Sequence, residues 1–350
     1  MKKLQVLVGA LSLLVLEASC LAQSPAQPAA CNLLLSTEQR NAGREAMRTA
    51  RYAAAAKALR ESFDACPGQT ALLLEVAQAE LRLKDHAAAI RTAEQFLERE
   101  PGSLDGRVTL ANAYFLAQRM QDAVREVETV LKSDPAQASA LKLKGNIQYL
   151  SSELDGALST FVTLLEHHPN DEDGAYMLGR IYYQEGRIDH ATGQFQRVLK
   201  INPKSYKAYD NLGLCYQALG DTELATRYFL TAIKLVEKDQ PDYDWPFANL
   251  ANLLLDKGDA EKAFAFAAQA AKRNPNSARN FYLGGKALGK LGKNDLCINW
   301  LERSVSLDRN YPEPLYLLSR VYTQTGDEAK AQAALEKFSA LKNSGPRQRK

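Results

Sequence analysis

The chain has 350 residues, with 44 Lys+Arg against 41 Asp+Glu, 46% apolar residues and only 8% aromatic ones. That apolar content excludes a disordered chain, and a formal net charge of +3 gives no electrostatic reason to expect nucleic acid as the main ligand. The length would suit two or three compact domains, unless its elements repeat.

In chain order, residues 1–22 read as a secretory signal. Lys2 and Lys3 precede an apolar run over 4–16 that is too short to span a bilayer but long enough for a signal's hydrophobic region. Ala18, Ser19, Cys20 and Ala22 follow, and they permit two maturations. Cleavage after Ala22 leaves Gln23 first, whereas a lipoprotein signal makes Cys20 the acylated first residue and anchors the chain to a membrane. Glu17 stands three before Cys20, where a lipoprotein signal takes Leu, so the first is favoured. No later apolar stretch approaches 18 residues, which predicts no integral membrane span. Residues 23–35 read as a linker. At the far end, 343–350 reads as a solvated basic tail, and its Arg347, Arg349 and Lys350 leave the body essentially neutral.

The prolines reveal the organisation between these ends. Pro67, Pro101, Pro135, Pro169 and Pro203 are spaced by 34 residues, and Pro275 follows after two periods plus a four-residue insertion near 238–241. Proline is tolerated just after a helix and not inside one, so each marks the end of a unit. Within a unit the apolar spacing is helical twice over. Tyr209, Leu212, Gly213 and Tyr216 fall on one face of a first helix, Gly220-Asp221 breaks it, and Ala225, Phe229 and Ala232 line a second. The same scheme recurs as Leu178-Gly179, Tyr182, Gly186, Ala191, Phe195 and Pro203.

This pattern resembles the tetratricopeptide repeat (TPR), whose 34-residue signature is Trp-x2-Leu-Gly-x2-Tyr, then Ala-x3-Phe and Pro. The resemblance implies an all-α, right-handed superhelical solenoid of about nine helix-turn-helix repeats over 36–342. The units are predicted to begin at Ser36, Thr70, Leu104, Ala138, Glu172, Tyr206, Asp244, Ala278 and Pro312. Cys215 and Cys297 then fall inside helices as buried thiols. Cys31 precedes the first helix and Cys66 ends its antiparallel partner, so a disulfide between them is expected in an exported chain. Closing that loop would contribute on the order of 3–4 kcal/mol.

Searches for catalytic chemistry give little. Residues 284–290, Gly-Gly-Lys-Ala-Leu-Gly-Lys, match the phosphate-loop spacing, but Leu291 stands where the metal-binding Ser/Thr belongs and no strand precedes it. His167 and His168, at a helix end, read as solvated surface. No HExxH, Gly-x-Ser-x-Gly, CxxC or dinucleotide motif occurs, so neither an enzyme nor a cofactor or metal site is expected.

Function is therefore expected on the inner face, to which the resemblance assigns repeat positions 2, 5, 6, 9, 12 and 13. Phe115, Tyr149 and Tyr183 share position 12. Tyr176, Tyr282 and Tyr316 share position 5, and Trp245 takes position 2 of the seventh unit. These rings read either as packing against the neighbouring helix or as a ligand-facing ladder. Asn112, Asn146 and Asn252 at position 9, with Asn211 and Asn249 at position 6, could hold an extended peptide backbone through their amides. Arg180 occupies position 9 of the fifth unit. Finally, Lys142, Asn146, Met177, Lys207 and Asn211 fall on positions that read Lys, Asn, Asn, Lys, Arg in carboxylate-clamp members, a match at three of five. The expected function is a non-catalytic scaffold or adaptor, exported to a bacterial periplasm or outer-membrane periphery, that binds a protein or peptide. The alternatives are a substrate-recruiting subunit of an envelope enzyme, secretion or polymer-export complex, and a structural lipoprotein anchored at Cys20.

Overall fold

A computed structural model describes residues 31–343, which form eighteen α-helices with no strand among them. The expected signal over 1–22, the first part of the 23–35 linker and the tail from 344 onward lie outside the described residues. The chain divides into two compact units, with the boundary inside a helix between Ala123 and Val124. The first unit contains α1 (Leu33–Arg48), α2 (Tyr52–Ala65), α3 (Ala71–Leu83), α4 (His86–Arg99), α5 (Leu104–Leu116) and the start of α6 (Met120–Ser133). The second continues with α7 (Ala138–Leu150), α8 (Leu154–His167), α9 (Glu172–Gln184), α10 (Ile188–Ile201), α11 (Tyr206–Ala218) and α12 (Thr222–Asp239). It ends with α13 (Trp245–Asp256), α14 (Ala260–Arg273), α15 (Ala278–Lys290), α16 (Asn294–Leu307), α17 (Pro312–Gln324) and α18 (Glu328–Asn343).

Odd and even helices are the first and second members of nine successive repeats. Local chemistry sets their ends. Pro67, Pro101, Pro169, Pro203 and Pro275 each stand two residues beyond the last residue of a second helix. The turn inside each hairpin puts one residue in the left-handed region, at Ala50, Lys84, Gln118 and Ser152 in repeats 1–4 and at Gly186, Gly220, Gly258, Gly292 and Gly326 in repeats 5–9. In four repeats the next residue is an aspartate whose carboxylate accepts an N–H of the second helix's first turn, as Asp221 does from Leu224 at 2.9 Å. Breaking one helix and capping the next is thus done by two adjacent residues.

One helix start departs from the sequence expectation by more than a residue. α1 begins at Leu33, three residues before Ser36, because the Asn32 side chain caps Leu35 and the Asn32 N–H donates to the Ala65 carbonyl at 2.8 Å. Cys31 and Cys66 form a disulfide at the same place. The insertion near 238–241 adds a turn to α12, which has 18 residues where α8, α10, α14 and α16 have 14.

Packing within a hairpin depends on a small residue at position 8 meeting a large one at position 24. A Cβ on Gly179 would lie 2.8 Å from the Phe195 ring, and Gly145 and Gly213 stand in the same way against Phe161 and Phe229. These three phenylalanines are fully buried, each stabilising the fold by roughly 1.5–3 kcal/mol. Between repeats of the second unit, α7, α9, α11, α13 and α15 each pack on the next first helix, whereas second helices of successive repeats do not pack on one another. The first helices of this unit thereby form a continuous inner row.

Candidate functional site

Polar side chains that meet across this inner row belong to a few repeat positions. In the second unit, position 5 or 6 of one repeat reaches position 2 or 6 of the next, and position 12 reaches position 9. Lys142 Nζ lies 3.1 Å from Asp171 and 3.4 Å from Asp173. Arg180 donates to the Tyr149 hydroxyl at 3.1 Å and its guanidinium covers the Tyr149 ring. Asn211 donates to the Tyr176 hydroxyl at 3.2 Å and to the Lys207 carbonyl at 2.8 Å.

A buried network follows in repeats 6–8. Arg279 donates to Asn249 Oδ1 at 2.9 Å, and Asn249 Nδ2 donates to Asp210 Oδ1 at 2.8 Å. Beside it, Asn280 Nδ2 donates to Asp244 Oδ2 at 2.6 Å, leaving Asn280 Oδ1 buried with no partner. Asp210, Asp244, Asn249 and Asn280 are all buried. Burial pushes the Asp210 carboxyl up to about 7, against the pull of the Asn249 bond and the Arg279 charge. The same burial lowers Arg279 and, with Asp210 nearby, raises the Tyr243 hydroxyl.

These contacts sort the residues singled out in the sequence. Asn249 is corrected: it is a core amide bridging Asp210 and Arg279 and is not open to a peptide. Lys142 has its charge met by two aspartates, so with Met177 and Asn211 it does not present the open donors of a carboxylate clamp. Asn112, in the first unit, turns its amide back to its own helix at the Val108 carbonyl. Tyr176 packs on Phe195, and Tyr183 is half-buried against the cluster around Phe195 and Cys215. Phe115 is likewise half-buried. Asn146, Asn252 and Lys207 make no side-chain hydrogen bond or ion pair among the described residues. Trp245 is 53% exposed, with the Arg279 guanidinium 5.6 Å from its ring centre. His168 is not simply solvated, since its Nε2 sits 2.6 Å from the Ala136 carbonyl.

Sequence reading missed Asp210, Asp244, Arg279 and Asn280, whose signal is a run of polar residues at positions 1, 2, 3 and 5 of adjoining repeats. Cys215 and Cys297 are buried, and burial pushes both thiols up to about 11. Among the described residues no His, Cys, Asp and Glu side chains cluster as a metal site, and no helix is long and apolar enough to cross a membrane.

Sequence models described as "Tetratricopeptide repeat" match residues 40–104, 80–147, 205–276, 278–311 and 312–344, and one described as "TPR repeat" matches 179–220. No curated protein sequence matches significantly. A chain of the APC/C hetero-tetramer Cut9–Hcn1 superposes with a TM-score of 0.64 at 16% identity over 83% of this chain. This chain spans 56% of that longer one. A tetratricopeptide repeat protein from Parabacteroides merdae superposes with a TM-score of 0.57 at 18% identity, covering 72% of this chain and 98% of that one. At such identities the likeness is one of fold.

Proposed function

The chain belongs to the tetratricopeptide repeat family, and from that premise we propose that it is a non-catalytic scaffold of the bacterial envelope. It binds a segment of a partner protein along the inner row of its second unit. The observation that carries this reading is the set of inner-row groups left open, the amides of Asn146 and Asn252 and the exposed Trp245 ring, among neighbours whose polar atoms pair with one another. An amide that both donates and accepts can hold a peptide backbone, and an exposed indole gives large contact area at little entropic cost.

Export is supported by the Cys31–Cys66 disulfide, which persists in oxidising compartments, together with the signal-like segment over 1–22. Intact mass of the protein purified from envelope fractions tests it. A chain starting at Gln23 supports the soluble periplasmic form, acyl mass on Cys20 supports the lipoprotein, and an intact Met1 in the cytoplasm refutes both. Binding is tested by quantitative capture from envelope extract. Trp245→Ala combined with Asn252→Ala should lose the partner that wild type retains, and Lys234→Ala on the exposed side of α12 should keep it. Equal capture by all three would overturn the assignment to the inner row. A hydrolase activity of the purified chain, abolished by one substitution in it, would overturn the non-catalytic reading.

A further inference from the structure

Charge is distributed unevenly along the inner row. In repeats 8 and 9 the inner-row positions hold Arg279, Lys286, Lys290 and Arg320, against Glu313 as the one carboxylate. Position 9 holds Asn146 and Asn252 in repeats 4 and 7, and it becomes Lys286 in repeat 8 and Arg320 in repeat 9. Lys286, Lys290 and Arg320 have neither an ion pair nor a side-chain hydrogen bond among the described residues. Lys142, on the same row, is held by two aspartates. Lys290 and Arg320 are exposed. Two large rings are exposed on the same stretch of the row, Trp245 at 53%, near Arg279, and Tyr316 at 44%, with one side against Phe338.

Unpaired cations alone are ordinary solvated surface. Here Lys286 and Arg320 occupy position 9 of successive repeats, continuing the column that holds the unpartnered amide of Asn252 in repeat 7, and the same stretch of the row carries exposed rings. That combination suits a chain bearing carboxylates and apolar side chains at intervals, with a backbone for an amide to grip. Lipid headgroups and nucleic acid fit less well, because three unpaired cations form no extended basic stripe and the near-neutral body adds no long-range attraction.

We propose that the inner face of repeats 8 and 9, with Trp245 at its edge, is a seat for an acidic segment of a partner polypeptide. The segment's internal carboxylates would pair with Lys286, Lys290 and Arg320, and its apolar side chains would lie on Trp245 and Tyr316. This rests on the peptide-binding reading of the inner row and adds to it the charge of the partner.

The test is fluorescence anisotropy with the full chain and three labelled twelve-residue peptides of identical apolar residues, carrying Glu, Gln or Lys at the remaining positions. The Glu peptide should bind at least about tenfold tighter than the Gln peptide, with the preference fading as sodium chloride is raised. Lys286→Glu combined with Arg320→Glu should abolish that preference and transfer it to the Lys peptide, and circular dichroism melts report that the variant remains folded. Equal binding of the Glu and Gln peptides overturns the acidic seat while leaving the peptide groove standing. Binding of none of the three also overturns the seat, and the inner-row reading is then decided by capture of the natural partner. Tighter binding to phosphatidylglycerol vesicles or to a single-stranded oligonucleotide than to the Glu peptide overturns it in favour of a different ligand.

Discussion

Repeats 5–7 and repeats 8–9 share one helical hairpin and, apart from the paired Arg279 and the unpartnered Lys207 and Asn252, treat the polar groups of the inner row in opposite ways. In the former, Arg180, Asn211, Asn249 and Asp210 find partners one repeat away and are drawn into the packing. In the latter, Lys286, Lys290 and Arg320 have no such partner. Asn249 and Asn252 show the same contrast within one turn of α13, since the first is 3% exposed between Asp210 and Arg279 and the second is open. A polar residue at an inner-row position is therefore not by that fact a binding residue. What decides it is whether the adjoining repeat supplies the complementary group.

The sharpest way to break this comparison is to remove one member of each class. Asn249→Ala strands a buried carboxyl and a largely buried guanidinium, and should cost about 3 kcal/mol in urea unfolding. Lys286→Ala should change stability by no more than about 0.5 kcal/mol. Equal effects would mean that the two regions do not differ.

The buried network of repeats 6–8 should also give the protein a pH dependence that the unpaired cations of repeats 8 and 9 do not. The Asp210 carboxyl titrates near 7 in the folded chain, above its unfolded value, so the folded state holds the extra proton between those limits. Its contribution to stability is therefore complete below the unfolded pKa and lost as pH rises through 7. Thermal melts of wild type should drop from pH 5 to pH 8, and Asp210→Asn should remove that part of the slope. An unchanged slope in the variant would show that the carboxyl titrates elsewhere.

Helix crossings extend the comparison to packing. A methyl on Gly179 meets the Phe195 ring, which is fully buried and has nowhere to move, and Gly179→Ala should cost about 2 kcal/mol. In repeat 8 the methyl of Gly285→Ala meets Leu301, which is equally buried, and a similar cost of about 2 kcal/mol is expected. Gly193, on α10 with nothing nearby, should gain about 0.5–1 kcal/mol as Gly193→Ala.

At the hairpin turns the two regions should behave alike. Gly220 and Gly292 both lie in the left-handed region, and Ala at either should cost about 1 kcal/mol. Ser152→Gly should gain a similar amount, because Ser152 holds the same conformation without glycine's freedom. Calorimetry of the three variants checks this, and a loss for Ser152→Gly would contradict it.

Most of the fold could be read from the sequence because proline, glycine and aspartate act locally. A Pro two residues past a second helix and a Gly-Asp pair at a turn need no distant partner to be interpreted, so first-helix starts from Ala71 to Pro312 fall within one residue of expectation. The start of α1 was hidden because what fixes it, the Asn32 cap and the contact to Ala65, has no counterpart in the other repeats. The site was less legible. Sequence position placed Asn249 on the inner row, but its partners Asp210 and Arg279 lie 39 and 30 residues away. Which pairs close depends on how successive repeats stack, and the 34-residue register does not state that. Lys286 and Arg320 share position 9 with Arg180, and the sequence does not show that Arg180 is met by Tyr149 while they have no partner.

In-cell photo-cross-linking reports whether a polypeptide lies along the inner row of the second unit. A photoreactive residue replacing Asn252 or Lys286 should yield an adduct with a polypeptide that peptide mapping assigns to a single segment, whereas the same residue replacing Lys234 should yield none. Adducts of equal yield at all three positions, or an adduct only at Lys234, would contradict the account.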